Sequence, residues 1–135
     1  MADLQIGMKR EESARVEESV AINFLAAGGP RVLATPAMIM SMEMVCRNLV
    51  KAHLDDGYDT VGTHVDVKHL AATPIGMQVT YSCELVDVNG RHLRFRVEAH
   101  DEKEKVGEGF HGRAIINIAK FGEKVKGKSG STKQS

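Results

Sequence analysis

Hydrophobic and polar positions divide the chain into three kinds of segment. In residues 14–22, Val16, Val20 and Ile22 alternate roughly with charged positions, so a first, half-buried strand is expected there. Residues 23–30 break the pattern with Gly28 and Gly29, while Phe24 and Leu25 remain free to cover something apolar, as a lid or simply a loop. From Thr35 onward the character changes. Threonine followed by proline is a helix start, because threonine caps orphan amides and proline supplies a preset first-turn angle. The pattern predicts a helix from Pro36 to about His53. Met38, Met40, Met42 and Met44 alternate as a strand would, but the apolar run is too long and too uniform for a two-faced strand. With few polar side chains along it, this helix should be largely enclosed by the fold.

Asp55-Asp56-Gly57 ends the helix, and strands are expected over residues 60–68, 77–88, 91–100 and 106–118. Asn89-Gly90 is the strongest turn signal, read here as supplying both positive-φ central residues of a tight hairpin. Leu93, Phe95, Val97 and Ala99 then alternate with Arg94, Arg96, Glu98 and His100. One sheet can bury one long apolar helix by curling round it, which gives an α+β domain over residues 1–121. Residues 122–135, rich in Lys, Gly and Ser, are expected to be a flexible tail.

Composition narrows the function more than it defines it. The chain has 135 residues, enough for one domain, and its 18 basic residues balance 18 acidic ones. That balance gives no general electrostatic reason to expect nucleic acid or an anionic membrane as partner. Cys46 and Cys83 sit in no metal-ligand or redox spacing and read as reduced packing residues. No apolar stretch reaches a bilayer-spanning length and the first ten residues do not resemble a secretion signal, so a cytoplasmic location is expected. Phosphate-cradling, dinucleotide-binding and Gly-x-Ser-x-Gly motifs are all missing.

Three residues could serve a hydrolytic site. Thr35 begins the buried helix, where it is either an N-cap and nothing more or a hydroxyl beside amides able to hold an oxyanion. Glu43 falls among apolar neighbours, which suits a general base, unless Arg47 four residues on pairs with it. His69 breaks the alternation of the strand before it and is either an exposed loop histidine or an acid/base at a cleft edge. Thr35 and Glu43 are eight residues apart, hence ~12 Å along one helix axis, so within one chain they cannot hydrogen-bond. Either a substrate spans the gap or a two-fold dimer brings Thr35 of one subunit near Glu43 of the other. His53, His64, His92, His100 and His111 show no metal spacing and default to solvated side chains. Arg113, on a late strand, is an ordinary surface arginine or a contact for an anionic substrate group.

Four segments together resemble the hot-dog-fold acyl-CoA thioesterases, and among them the fluoroacetyl-CoA-specific group. They are Leu33-Ala-Thr-Pro-Ala-Met with Glu43 beyond it; Val61-Gly-Thr-His-Val followed by His69-Leu-Ala-Ala-Thr-Pro-Ile-Gly-Met; Val88-Asn-Gly-Arg with Phe95-Arg-Val-Glu-Ala-His-Asp; and Glu108-Gly-Phe-His-Gly-Arg. The resemblance implies a hot-dog fold, a helix wrapped by a curved antiparallel sheet, with two units pairing into a homodimer or further into a tetramer. It also implies acyl-CoA clefts at the subunit interface. By the same resemblance Thr35, Glu43 and His69 match the catalytic residues, while Gly62 and Arg113 match substrate-binding positions, with Phe24 on the lid segment. Pro36 stands where the fluoroacetyl-specific enzyme has glycine, and residues 23–31 look shorter and less aromatic than its lid. The resemblance therefore carries the reaction rather than the acyl group. The expected function is hydrolysis of a small acyl-CoA to carboxylate and CoA, with no separate cofactor and no metal. The alternative is a non-catalytic acyl-CoA-binding module, and a dehydratase or isomerase ranks below both.

Overall fold

The computed structural model describes residues 3–133. β1 (Lys9–Arg15) leads through a short 3-10 turn at Glu18–Val20 and a connection to α1 (Thr35–Lys51). β2 (Tyr58–His69), β3 (Gln78–Asn89), β4 (His92–His100) and β5 (Lys105–Asn117) follow, and α2 (Ile118–Lys133) closes the order. All pairings are antiparallel, in the order β1-β3-β4-β5-β2, which leaves β1 and β2 at the edges.

The sheet curls round α1, as the α+β hot-dog expectation requires. Met38, Met42, Val45, Cys46, Leu49 and Val50 are buried at helical spacing along one stripe of α1. Facing them, Val79, Tyr81, Cys83 and Leu85 of β3 and Leu93, Phe95, Val97 and Ala99 of β4 are buried at the period-two spacing of strands. Each such large apolar side chain contributes roughly 1.5–3 kcal/mol on burial. Irregular registers at Gly62/His64 and Leu85/Asp87 add the local twist that lets the sheet bend. Cys46 and Cys83 are both free and buried.

Four expectations are corrected. The first strand is Lys9–Arg15 rather than 14–22, because an exposed edge strand is nearly all polar, and the apolar Val16 lies just before the 3-10 turn that Val20 ends. Ala34, not Thr35, occupies the N-cap of α1, and no side chain caps the helix. The hairpin loop comprises Gly90-Arg91, since Asn89 pairs with His92 and only Gly90 has positive φ (63°). Finally, residues 122–133 are helical, continuing α2. Asn117 accepts a hydrogen bond from the Lys120 amide at 3.0 Å, the capping signal that the Lys/Gly/Ser composition concealed. Residues 134 and 135 lie outside the described residues.

Candidate active site

Two clusters contain the residues singled out by sequence. The first joins the start of α1 to the end of β2. Released from any capping role, the Thr35 hydroxyl lies 2.7 Å from Nδ1 of His69. His69 is the last residue of β2, paired in register with Gly107, and the following Leu70 amide donates to the Val106 carbonyl at 2.7 Å. Two strands therefore fix the imidazole against an exposed hydroxyl on the helix. Burial lowers the His69 pKa from its ordinary value, with a smaller opposing contribution from the backbone of Ala71. The ring is thus neutral near pH 7. In the tautomer with the proton on Nε2, Nδ1 accepts from the Thr35 hydroxyl. Nε2 itself is buried and finds no hydrogen-bond partner among the described residues.

An open depression of about 460 Å³ lies over this pair, lined by Phe24, Leu33, Thr35, His69 and Leu70 among others. Phe24 is 74% exposed, while Arg31 pins the base of its segment through the carbonyls of Glu18 and Ile22 at 3.0 and 3.2 Å. Phe24 thus shares the lining of this depression with the hydroxyl–imidazole pair.

The second cluster lies two turns further along α1. Glu43 Oε1 is 3.7 Å from Nη1 of Arg113, which is 6% exposed, so of the two readings of this residue the ordinary surface arginine is excluded. Arg113 donates through Nε to the Thr60 hydroxyl (2.7 Å) and through Nη2 to the Thr60 carbonyl (2.8 Å). Its Nη1 lies 3.1 Å from His111 Nε2, and His111 Nδ1 lies 2.7 Å from the His64 carbonyl. A carbonyl can only accept, so Nδ1 carries the proton and Nε2 accepts from the guanidinium. His111 is therefore a neutral, oriented ring at 1% exposure, not a solvated side chain, and burial lowers its pKa. It also stacks on Phe95.

Gly62 completes this cluster by what it omits. A Cβ there would come 2.9 Å from Glu43 Oε1 and 3.3 Å from His111 Cε1, so the carboxylate reaches the strand only because the strand has no side chain at that point. The alternative reading, a Glu43–Arg47 pair, does not hold. Arg47 instead makes a two-pronged contact with Asp59, Nε to Oδ1 at 3.0 Å and Nη2 to Oδ2 at 2.5 Å, which lowers the Asp59 pKa. Asp59 offers the fork-shaped guanidinium a two-pronged match that the i, i+4 neighbour does not make.

Thr35 and His69 thus meet each other, and Glu43, Gly62 and Arg113 meet each other, while ~12 Å of helix separates the clusters. Sequence reasoning missed His111 and Thr60. The two-residue spacing of His111 and Arg113 on one strand was the available signal, since both must face the same side. Among the described residues no cluster of three or more His, Cys, Asp or Glu could hold a metal ion, and no helix is long and apolar enough to cross a membrane.

Comparison with known proteins bears on the family and the fold. The family model described as fluoroacetyl-CoA-specific thioesterase matches residues 16–119. A fluoroacetyl-CoA thioesterase of Streptantibioticus cattleyicolor is 43% identical over 100 residues, covering 74% of this chain and 72% of that protein. A solved structure of the fluoroacetyl-CoA thioesterase FlK superposes with a TM-score of 0.85 at 35% identity, covering 93% of this chain and 97% of the other. A Thermus thermophilus thioesterase superfamily member, 24% identical, shares the fold with a TM-score of 0.90 over the whole of both chains. The chain belongs to the fluoroacetyl-CoA-specific thioesterase family.

Proposed function

We propose that this protein hydrolyses a short acyl-CoA thioester to carboxylate and free CoA, as its relatives' names describe for fluoroacetyl-CoA. The observation that carries the reading is the 2.7 Å contact between Thr35 and His69, with the far nitrogen of the ring buried and unpartnered. A hydroxyl, a base that takes its proton and a third group that orients the base make up an activated nucleophile. The chain supplies the first two together. Glu43 is the third, contributed across a two-fold axis.

The sheet supports such a dimer. β2 is an edge strand twelve residues long, exposed from Gly62 to Asp66, and an edge of that length invites pairing. Isologous antiparallel pairing of β2 with its copy sets the His69 end of one strand against the Tyr58–Gly62 end of the other, and Glu43 rests on Gly62. Thr35 and His69 of one subunit then face Glu43, Gly62 and Arg113 of its neighbour in a shared cleft.

In that cleft His69 takes the Thr35 proton as the hydroxyl attacks the thioester carbonyl. The positive end of α1 at Thr35 and the Arg113 guanidinium stabilise the oxyanion. His69 then protonates the departing CoA thiolate, and water repeats the sequence to release the acid. Phe24 covers the acyl group. CoA enters as part of the substrate, and the reaction needs no further cofactor. Reduced Cys46 and Cys83 suit a cytoplasmic setting.

The test is free-thiol release from a panel of short acyl-CoAs by wild type, Thr35→Ser and Thr35→Ala. Hydrolysis retained by Thr35→Ser and lost by Thr35→Ala supports the reading. Tight acyl-CoA binding with no thiol above background would assign the fold to a binding module instead.

A further inference from the structure

Arg113 is held along one edge by a residue that is itself fixed. Its Nε and Nη2 donate to the hydroxyl and carbonyl of Thr60 at 2.7 and 2.8 Å. The Thr60 amide in turn donates to Asp59 Oδ1 at 2.7 Å, and Arg47 from α1 grips the same carboxylate. The far end of the guanidinium, Nη1, has a different holder. It lies 3.1 Å from His111 Nε2 and 3.7 Å from Glu43 Oε1, and the longer distance is no hydrogen bond. Among the described residues, His111 is thus the hydrogen-bond partner of the nitrogen that faces the carboxylate.

The ring is built to stay where it is. His111 is buried and stacks on Phe95 with 6.4 Å between centroids. Its Nδ1–H is committed to the His64 carbonyl at 2.7 Å, which leaves a lone pair at Nε2 for Arg113. An irregular register delivers that carbonyl: Gly62 pairs with Arg113 and His64 with Gly112, so Thr63 is an extra residue in β2. Bulges of this kind re-aim groups beside functional sites. His111 Cε1 and Arg113 Nη1 also bound the space that Gly62 leaves open, at 3.3 and 3.6 Å from where a Cβ would sit.

The chemistry of the holder matters as much as its place. A carboxylate at this position would bind the guanidinium and cancel its charge, while a cationic group would repel it. A neutral ring with a fixed tautomer fastens Arg113 and leaves the whole positive charge to the cleft. We propose that His111 is a positioning residue for thioester hydrolysis, holding Nη1 of Arg113 in the orientation that serves Glu43 and the developing oxyanion; the assignment rests on the thioesterase reading above. It acts through Arg113 and touches no reacting atom. Bonds to Thr60 along a single edge leave the guanidinium able to tilt about that edge, and a misplacement of about 1 Å costs on the order of 10²-fold in rate.

The experiment joins kinetics to nitrogen NMR, using wild type, His111→Gln and His111→Phe at a temperature where melting curves show all three folded. Glutamine offers a neutral acceptor and phenylalanine none. Thiol release from the acyl-CoA that wild type cleaves best should fall about tenfold or more in kcat for His111→Phe, with KM nearly unchanged, and His111→Gln should recover most of the loss. Equal losses in the two variants overturn the proposal. The Arg113 Nη groups, identified by their absence from Arg113→Met, should give separate signals in wild type and His111→Gln and one averaged signal in His111→Phe. These spectra need no turnover, so they separate the proposal from the thioesterase reading: they support the clamp on Arg113 even if no acyl-CoA is cleaved. Unchanged Arg113 signals in His111→Phe overturn it. Wild type alone supplies a check that no folding defect can spoil. Long-range 1H–15N spectra should show the His111 proton on Nδ1 and a bare Nε2, and a proton on Nε2 would contradict the clamp.

Discussion

The two clusters along α1 are built on opposite terms. Thr35 is exposed and His69 has one side-chain partner, with a buried nitrogen unsatisfied. Arg113, by contrast, is buried and held by three hydrogen-bond contacts and an ion pair with Glu43, and its neighbour His111 is fixed at both ring nitrogens. A reacting hydroxyl has to be reached by substrate and a base has to change protonation, so neither can be walled in. A stationary charge works best where it is preorganised. Substitutions at the first cluster should therefore cost activity and leave stability intact, whereas those at the buried Arg113 of the second should cost both.

Thr35→Ala gives the largest expected effect, a loss of about 10³-fold in kcat, with thermal stability unchanged because the side chain is exposed and caps nothing. Turnover measured beside a melting curve checks it, and a large fall in melting temperature would break the contrast. Arg113→Met should lower activity and destabilise the fold by about 2–4 kcal/mol, since Thr60 and His111 lose their buried partner. Denaturant unfolding reads that cost. A fully folded, fully stable Arg113→Met protein would show that its cluster does not hold the structure.

Gly62→Ala sharpens the comparison, because its Cβ would meet the end of a flexible glutamate rather than backbone. The carboxylate can swing away at little cost, so stability should hold while kcat falls about tenfold through misplacement of Glu43. His111→Gln should do less than His111→Phe. Glutamine can still accept from Arg113, whereas phenylalanine leaves both Arg113 and the His64 carbonyl unpaired. Paired unfolding curves give the ranking.

pH offers the finest distinction. Burial holds His69 and His111 below their ordinary value of 6.5. Between folded and unfolded values the unfolded chain binds more protons, so this stability is complete above pH 6.5 and is lost as the pH falls toward the folded values. The acid decline in stability should be shallower in His111→Gln. The acid limb of kcat/KM should instead follow His69, with its midpoint below 6.5, and remain in that variant.

Most of this architecture was legible in the sequence because it repeats. Four strands with alternating faces and one long, largely apolar helix leave few ways to fold, although Met40 and Met44 of that helix are exposed. The errors fall where periodicity is silent. β1 lies on an edge with nearly every side chain exposed, so it has no buried face to betray it. α2 packs loosely, and its glycines and serines obscured the Asn117 cap. Within the candidate site, Thr35, Glu43 and His69 were visible as chemistry, Arg113 was visible as one of two alternatives, and family resemblance added Gly62. His111 was not visible, because its importance lies in a bond to a carbonyl 47 residues earlier, which only the β2–β5 register creates.

The central claim is that each catalytic unit is assembled from two chains. Mixing inactive Thr35→Ala protein with inactive Glu43→Ala protein, under conditions where subunit exchange is verified, tests it most directly. Every mixed dimer would hold one intact site and one doubly damaged one, so statistical exchange at equal concentrations should restore about a quarter of wild-type activity. Complete exchange with no activity regained would contradict the account.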